Sequence, residues 1–135
     1  MQHATGTFEV KISPEAQAEP PAGGVVTGRM GLNKTFSGGM TGTAVGTMLT
    51  AGAPGGAMTY VAIDQFEGAV AGRKGGFVLA HRGTMTKTGG GDLNIAISPD
   101  SGTGALTGIE GTLAIEITAG VHRYDLAYTL PAQDR

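Results

Sequence analysis

The residue of this chain best suited to proton transfer is His81, because histidine has an ordinary pKa near 6.5. His81 lies inside a segment whose alternating pattern predicts a β-strand, and the neighbouring predicted strand carries Asp64 and Tyr60. A carboxylate beside an imidazole fixes the tautomer of the ring, as in general-base pairs. A tyrosine hydroxyl can donate to a carbonyl or enolate-like oxygen. His81, Asp64 and Tyr60 are therefore the candidate catalytic residues.

A second group of side chains is of the kind that binds an apolar molecule. Methionine adapts to irregular shapes, and tyrosine combines an apolar ring with a polar end. The predicted ligand-binding residues are Tyr124, Tyr128, Phe77, Met48 and Met85. In an alternative interpretation, His81 and the tyrosines satisfy one another at a barrel mouth or in a subunit interface, and no ligand is involved.

Two long predicted strands, residues 60–70 and 76–87, position the catalytic candidates, with a tight turn at residues 71–75 between them. Because side chains alternate across a strand, Asp64 shares a face with Tyr60, and His81 shares one with Phe77. A turn centred near Arg73 would pair Asp64 with Arg82 or His81. The opposite choice of inner face would bring Val61 and Ile63 inward and exchange Asp64 for Glu67.

The whole chain divides into eight such segments. The predicted strands are residues 6–13, 25–37, 40–51, 60–70, 76–87, 93–98, 111–118 and 122–130. Pro14 is expected to end the first, and residues 14–24 to form a polar loop. Eight alternating strands with short Gly-rich connections predict one domain, residues 1–135, folded as an antiparallel up-and-down β-barrel, since closure removes exposed edges. A two-sheet β-sandwich is the alternative fold.

Composition excludes several functions. The net charge is -2 and no Lys/Arg cluster is present, so no nucleic-acid partner is expected. The absence of cysteine removes disulfides, thiol nucleophiles and Cys-ligated metals. The spacings of His3, His81 and His122 match no ligand motif, and His3 lies outside any predicted strand; neither a metal nor a cofactor is expected. No signal peptide and no membrane-length apolar run occur, which predicts a cytoplasmic protein without a membrane partner.

Five stretches together resemble a bacterial family of unknown function. They are residues 6–10 (GTFEV), 60–64 (YVAID), 72–81 (GRKGGFVLAH), 99–104 (PDSGTG) and 122–130 (HRYDLAYTL). That family is similar to the barrels of allene oxide cyclase and dirigent proteins. The resemblance implies an eight-stranded antiparallel barrel whose cavity holds a hydrophobic small molecule. It carries no catalytic motif of the plant enzyme onto this chain.

The expected function follows from a barrel with such a lining. We expect a hydrophobic small molecule in the cavity and a cyclase or isomerase reaction, in which the barrel folds a flexible substrate into a reactive shape. The alternatives are a carrier module with the same cavity and no chemistry, or a structural subunit whose barrel is filled by side chains. A homo-dimer or trimer is expected if the outer face carries apolar patches.

Overall fold

The chain folds into one antiparallel sheet that closes on itself, in a computed structural model that describes residues 1–17 and 23–131. Each strand pairs with the next in the sequence, and the last pairs with the first. The strands are β1 (Gln2–Gln17), β2 (Val26–Gly38), β3 (Met40–Gly52), β4 (Met58–Val70), β5 (Arg73–Met85), β6 (Gly91–Ile97), β7 (Glu110–Thr118) and β8 (Val121–Thr129). The predicted eight-stranded barrel is confirmed, and the sandwich alternative is wrong.

The first strand is longer than predicted at both ends. Pro14 does not end it, because the pairing with β2 shifts by one residue between Pro14 and Ala16. Such a bulge accommodates a proline, which has no N–H for the ladder. At the other end, His3 lies inside β1 opposite Ala127, with its Nδ1 2.8 Å from Asp125 Oδ1. The middle of the predicted loop, residues 18–22, lies outside the described residues.

The turn between β4 and β5 is tighter than predicted. It consists of Ala71 and Gly72 alone, with φ of 49° and 81°, and β5 already begins at Arg73. Two consecutive positive φ values are typical of the two-residue turn that matches the twist of a hairpin. The resulting register places Asp64 opposite Leu79, two residues from the predicted partner His81, which is opposite Ala62.

One end of the barrel is closed by protein. The β2–β3 and β4–β5 turns lie there, together with the β6–β7 loop, which contains a 3₁₀ turn at Gly104–Leu106. Leu106 and Ile109 of that loop are buried, and Thr103 Oγ1 accepts a hydrogen bond from the Gly76 N–H. We call this the closed end. The loop there has a structural role: it pairs with the part of β5 that β6 does not reach.

The middle of the barrel is filled by phenylalanine rings. Phe36 contacts both Phe8 and Phe66, and Phe66 contacts Phe77, with ring centroids 5.0–5.6 Å apart. All four are buried. Interlocked rings at these separations contribute beyond their buried area. The middle of the interior is therefore a packed core, as eight-stranded barrels permit.

The opposite end is less tightly closed. We call it the mouth; the β3–β4, β5–β6 and β7–β8 turns surround it. The β6–β7 ladder consists of a single pair, Ala96 with Thr112, so these strands diverge toward the mouth. Their ends there carry Leu93 and Ile117, both exposed. In residues 1–17 and 23–131 there is no helix long and apolar enough to cross a membrane.

Candidate functional site

Three ionisable side chains meet inside the barrel between the phenylalanine core and the mouth. Lys34 Nζ lies 2.6 Å from Asp64 Oδ2, and His81 Nε2 lies 2.9 Å from the same oxygen. Their side chains are 8%, 0% and 2% exposed, respectively. We call Lys34, Asp64 and His81 the polar layer. One carboxylate oxygen thus joins an ammonium group and an imidazole in a place that solvent barely reaches.

The strands bring these residues together through alternation and one small residue. Lys34 is on β2, Asp64 on β4 and His81 on β5, so β3 separates the lysine from the carboxylate. Opposite Asp64, β3 carries Gly46, where an added Cβ would collide with Asp64 Oδ1 and the backbone of β4. The missing side chain at Gly46 therefore leaves room for Asp64 to lie across β3 toward Lys34.

The charges of the polar layer are coupled. Burial alone raises the pKa of Asp64, but its contacts with His81 and Lys34 outweigh burial, so its pKa lies below the ordinary value of 3.8. Asp64 is therefore ionised at neutral pH. Lys34 Nζ also lies 5.6 Å from the centroid of the Phe8 ring, which favours a cation at that place. The polar layer therefore contains a buried ion pair whose ammonium group lies over the Phe8 ring.

Two polar atoms of this layer have no hydrogen-bond partner among the described residues: Asp64 Oδ1 and His81 Nε2. His81 Nε2 is close enough to Asp64 Oδ2 for an ion pair but lacks the alignment of a hydrogen bond. Unsatisfied buried polar atoms cost about 1–3 kcal/mol each. The imidazole is therefore held close to the carboxylate without being fully satisfied by it.

Tyr60 is the next inward-facing residue of β4 after Ala62, in the direction of the mouth. Its ring centroid is 6.5 Å from that of His81, and its cross-strand neighbour is Gly83. An added Cβ at Gly83 would collide with the Tyr60 ring, so the glycine lets the ring lie flat across β5. Burial, and secondarily the nearby Asp64 carboxylate, raises the pKa of Tyr60 above 10.0. Tyr60 is thus a neutral hydroxyl at pH 7, able to donate.

A pocket of about 290 Å³ opens at the mouth beside Tyr60. Most of its walls are apolar side chains of β4, β5, β6 and β7. The lining residues are Met58, Tyr60, Gly83, Thr84, Met85, Asp92, Leu93 and Ile117. The volume is close to the lower end of the range for small-molecule sites. Tyr60 is the member of the catalytic prediction that contacts this pocket, and His81 and Asp64 lie deeper.

The predicted ligand-binding residues separate into two groups. Met85 lines the mouth pocket, and Met48 is half-buried on β3 opposite Ala62. Phe77 belongs to the phenylalanine core. Tyr124 and Tyr128 are buried nearer the closed end: the Tyr124 hydroxyl accepts from Met40 N–H at 2.7 Å and donates to the Ser37 carbonyl at 2.8 Å. Tyr128 donates to Gln2 Oε1 at 3.1 Å.

Lys34 is the site residue that the sequence interpretation missed. The sequence did contain a signal: by alternation, Lys34 lies on the same apolar face of its strand as Leu32 and Phe36. A lysine on an apolar face needs a buried partner. Leu93 and Ile117 were also missed as pocket residues. Their strands diverge at the mouth, and no pattern in the sequence indicates that divergence. The inner face itself was predicted correctly: Asp64 is buried, whereas Val61 and Ile63 are exposed.

Across the described residues, no three His, Asp or Glu side chains gather as metal ligands would. The reactive groups that the site does present are those of Tyr60 and of the polar layer. These are a neutral phenol at the pocket wall and, behind it, an imidazole held beside a carboxylate that is ionised and paired with an ammonium group.

Fold and site together define a class: a small all-β barrel protein with a packed core, a buried Lys–Asp–His layer and an open mouth. The chain belongs to the DUF3224 family, described as a protein of unknown function, whose family model matches residues 4–128. It is similar to a crystal structure of a protein with unknown function from that family, from Shewanella oneidensis MR-1. The two are 43% identical, with 98% of this chain and 99% of the other covered and a TM-score of 0.89. No curated protein matches the chain.

Proposed function

We propose that the mouth of the barrel binds a small, mainly apolar molecule that carries one hydrogen-bond acceptor, such as a carbonyl oxygen. The observation that carries this proposal is the contrast between Tyr60 and the other two tyrosines. Tyr124 and Tyr128 use their hydroxyls on protein partners, whereas the Tyr60 hydroxyl makes no hydrogen bond to a described residue. A half-buried phenol at the wall of an apolar pocket is suited to anchor the polar end of a ligand.

The pocket's composition supports the apolar part of the proposal. Met58, Met85, Leu93 and Ile117 are 41–63% exposed although they point to the inner side of the barrel. Exposed apolar side chains that converge on one concavity are typical of a binding site. A ligand there would cover them and would lie next to the polar layer, where the low dielectric strengthens hydrogen bonds.

A cyclase or isomerase reaction is the second candidate function, in line with the expected kinship to allene oxide cyclase-like barrels. It is favoured by the place of the Asp64–His81 pair, directly behind Tyr60 on the same wall. Tyr60 would polarise a carbonyl as an acid, and His81 would exchange a proton at the neighbouring carbon. A carrier module needs the pocket and Tyr60 but makes no demand on the histidine.

Binding is tested with 1-N-phenylnaphthylamine, an apolar dye whose fluorescence rises in apolar surroundings. The matched variants are Ile117→Glu in the mouth and Val45→Glu on the outer surface, at positions that are 63% and 58% exposed. The wild type and Val45→Glu should bind the dye, and Ile117→Glu should lose most of the binding. Equal loss in both variants, or no binding to the wild type, would contradict the mouth as the site.

Chemistry is tested by proton exchange. A naphthyl methyl ketone is incubated with the protein in D₂O, and uptake of deuterium at the methyl group is followed by mass spectrometry. Exchange that falls in His81→Gln while ketone binding is retained would favour the enzyme. Binding with no exchange above the buffer rate in the wild type would favour the carrier.

A further inference from the structure

A second group of exposed apolar residues lies outside the barrel, away from the mouth. On β3 and β4, Val45, Leu49, Val61 and Ile63 are 58%, 52%, 43% and 56% exposed. Ala44 on β3 and Ala62 and Asp64 on β4 are buried inside the barrel, so by alternation along each strand these four side chains point outward. Leu49 is directly opposite Val61 in the ladder. We call Val45, Leu49, Val61 and Ile63 the outer patch.

The apolar surface of the outer patch extends from β3 and β4 onto β5. Ile63 is flanked by Thr47 on β3 and by Ala80 on β5, both short side chains. A shallow groove of about 340 Å³ runs over this surface, with walls that are almost entirely apolar. Of the other eight exposed large apolar residues among those described, four line the mouth pocket. A contiguous exposed patch of this kind marks an interaction surface.

Charges of opposite sign stand at the two ends of the patch. Arg82 on β5 is opposite Val61, toward the mouth. Glu67 on β4 is opposite Gly76 of β5, toward the closed end. The Glu67 carboxylate leans over Gly76, because an added Cβ at Gly76 would meet Glu67 Oε1. Both charged side chains are exposed. Along β5, a positive and a negative group therefore bracket the patch.

We propose that the outer patch is the interface of a symmetric dimer, in which it packs on the same patch of a second copy of this chain. The two-fold axis runs across the strands, so that β5 of one protomer faces β5 of its partner in the opposite direction. This operation places Arg82 of each protomer against Glu67 of the other and forms two ion pairs. An axis along the strands would instead place Glu67 opposite its own symmetry mate and leave Arg82 without an acidic partner.

The size of the patch sets the strength of the dimer. The interface covers β3, β4 and β5, at about 4.8 Å spacing, and the four outward rows from Arg82 to Glu67, at about 6.8 Å spacing. Its area is therefore about 400 Å² on each protomer. Stable interfaces cover about 800 Å² of each partner. The dimer is therefore reversible, with a dissociation constant in the micromolar range or weaker. The fraction of dimer rises with the protein concentration.

The patch is tested by sedimentation velocity from low micromolar to near-millimolar protein. The wild type should shift from monomer to dimer with concentration, and Ile63→Glu should remain monomeric. Ile117→Glu, which adds the same charge to an exposed isoleucine in the mouth, should dimerise like the wild type. Circular dichroism melting verifies that each variant is folded; because Ile63 is 56% exposed, Ile63→Glu should melt close to the wild type.

The orientation is tested by exchanging the charges. Arg82→Glu and Glu67→Arg should each weaken the dimer roughly tenfold, since each removes two ion pairs and introduces repulsion. The double variant Arg82→Glu/Glu67→Arg restores both pairs and should return to within about threefold of the wild type. The proposal is overturned by a wild type that stays monomeric at all concentrations. It is equally overturned by an Ile63→Glu variant that dimerises normally, or by a double variant weaker than both single variants.

Discussion

The two ends of this barrel use the same residue types for different purposes. At the closed end, the Tyr124 hydroxyl both accepts from Met40 N–H and donates to the Ser37 carbonyl. At the mouth, the Tyr60 hydroxyl has no such partner within the described part of the chain, and its ring borders a pocket. The residue type alone therefore does not tell whether a tyrosine in a barrel interior is structural or binds a ligand. The partners of its hydroxyl separate a structural role from a binding one.

Between the two ends, the polar layer forms a boundary. Below it the four phenylalanines fill the barrel, and above it the β6–β7 ladder opens after a single pair. A buried ion pair is seldom a net source of stability relative to apolar packing, but losing one partner is costly. At the polar layer, charged side chains therefore occupy interior space that apolar side chains could pack. Substitutions on each side of the layer measure how the two halves of the barrel differ in their contributions to stability and binding.

The largest effect is expected for Lys34→Met. The substitution leaves Asp64, which is 0% exposed, without its ammonium partner, at a cost of about 3–5 kcal/mol in the free energy of unfolding. Urea unfolding at pH 7 measures it. Lys11→Met, at an exposed position of β1, is the control and should change the free energy by less than about 0.5 kcal/mol. Similar losses in the two variants would mean that the buried pair is not formed in solution.

Next in size is the closed-end substitution Tyr124→Phe. It leaves the Met40 N–H, in a fully buried residue, without an acceptor, which costs about 1–3 kcal/mol. Chemical denaturation gives the value. Tyr128→Phe removes a hydroxyl that bonds the side chain of Gln2 near the chain end and should cost less. If Tyr128→Phe proved the more damaging, the closed end would not depend on the Met40 contact.

Much of the fold could be predicted from the sequence because alternation is strong in every strand. The inner face of β4 followed from Tyr60, Ala62, Asp64 and Phe66, and its choice placed Asp64 and His81 on adjacent strands within two residues of the true register. What failed was local: Pro14 was expected to end β1, but a bulge absorbs it. The turn after Val70 is also tighter than the string of glycines and charges suggested.

The site was less predictable than the fold, for a physical reason. Whether an inward-facing residue is core, pocket or ion pair depends on its height along the barrel axis. Phe77 and Tyr124 point inward, as a pocket residue must, but they lie below the polar layer, among the phenylalanines that fill the barrel. Lys34 reaches Asp64 across β3 only because Gly46 is small. That three-strand contact depends on the stagger of the strands, which alternation within one strand does not encode.

The polar layer should also make stability depend on pH in the acid range. Because the folded-state pKa of Asp64 is below its ordinary value of 3.8, the stability it contributes is complete above about pH 5 and is lost as the pH falls through 3.8 and then through the lower folded-state value. The effect is at most about 1.4 kcal/mol per pH unit for one proton. Urea midpoints of the wild type between pH 2 and 6 should therefore fall more steeply than those of Asp64→Asn. Asp92→Asn, at an exposed site in the mouth, is the control, and a wild-type slope equal to that of Asp64→Asn would contradict the lowered pKa.

The smallest effect on stability, and the most informative for function, is expected for Tyr60→Phe. Since the hydroxyl has no partner among the described residues, its removal should change the free energy of unfolding by less than about 0.5 kcal/mol. The same substitution should weaken binding of a fluorescent naphthyl ketone by roughly 2- to 12-fold, the range for one lost hydrogen bond. Binding of 1-N-phenylnaphthylamine, which has no carbonyl, should not change. A large loss of stability with no change in ketone affinity would instead assign Tyr60 the role that Tyr124 has at the closed end, and the two halves of the barrel would no longer differ in kind.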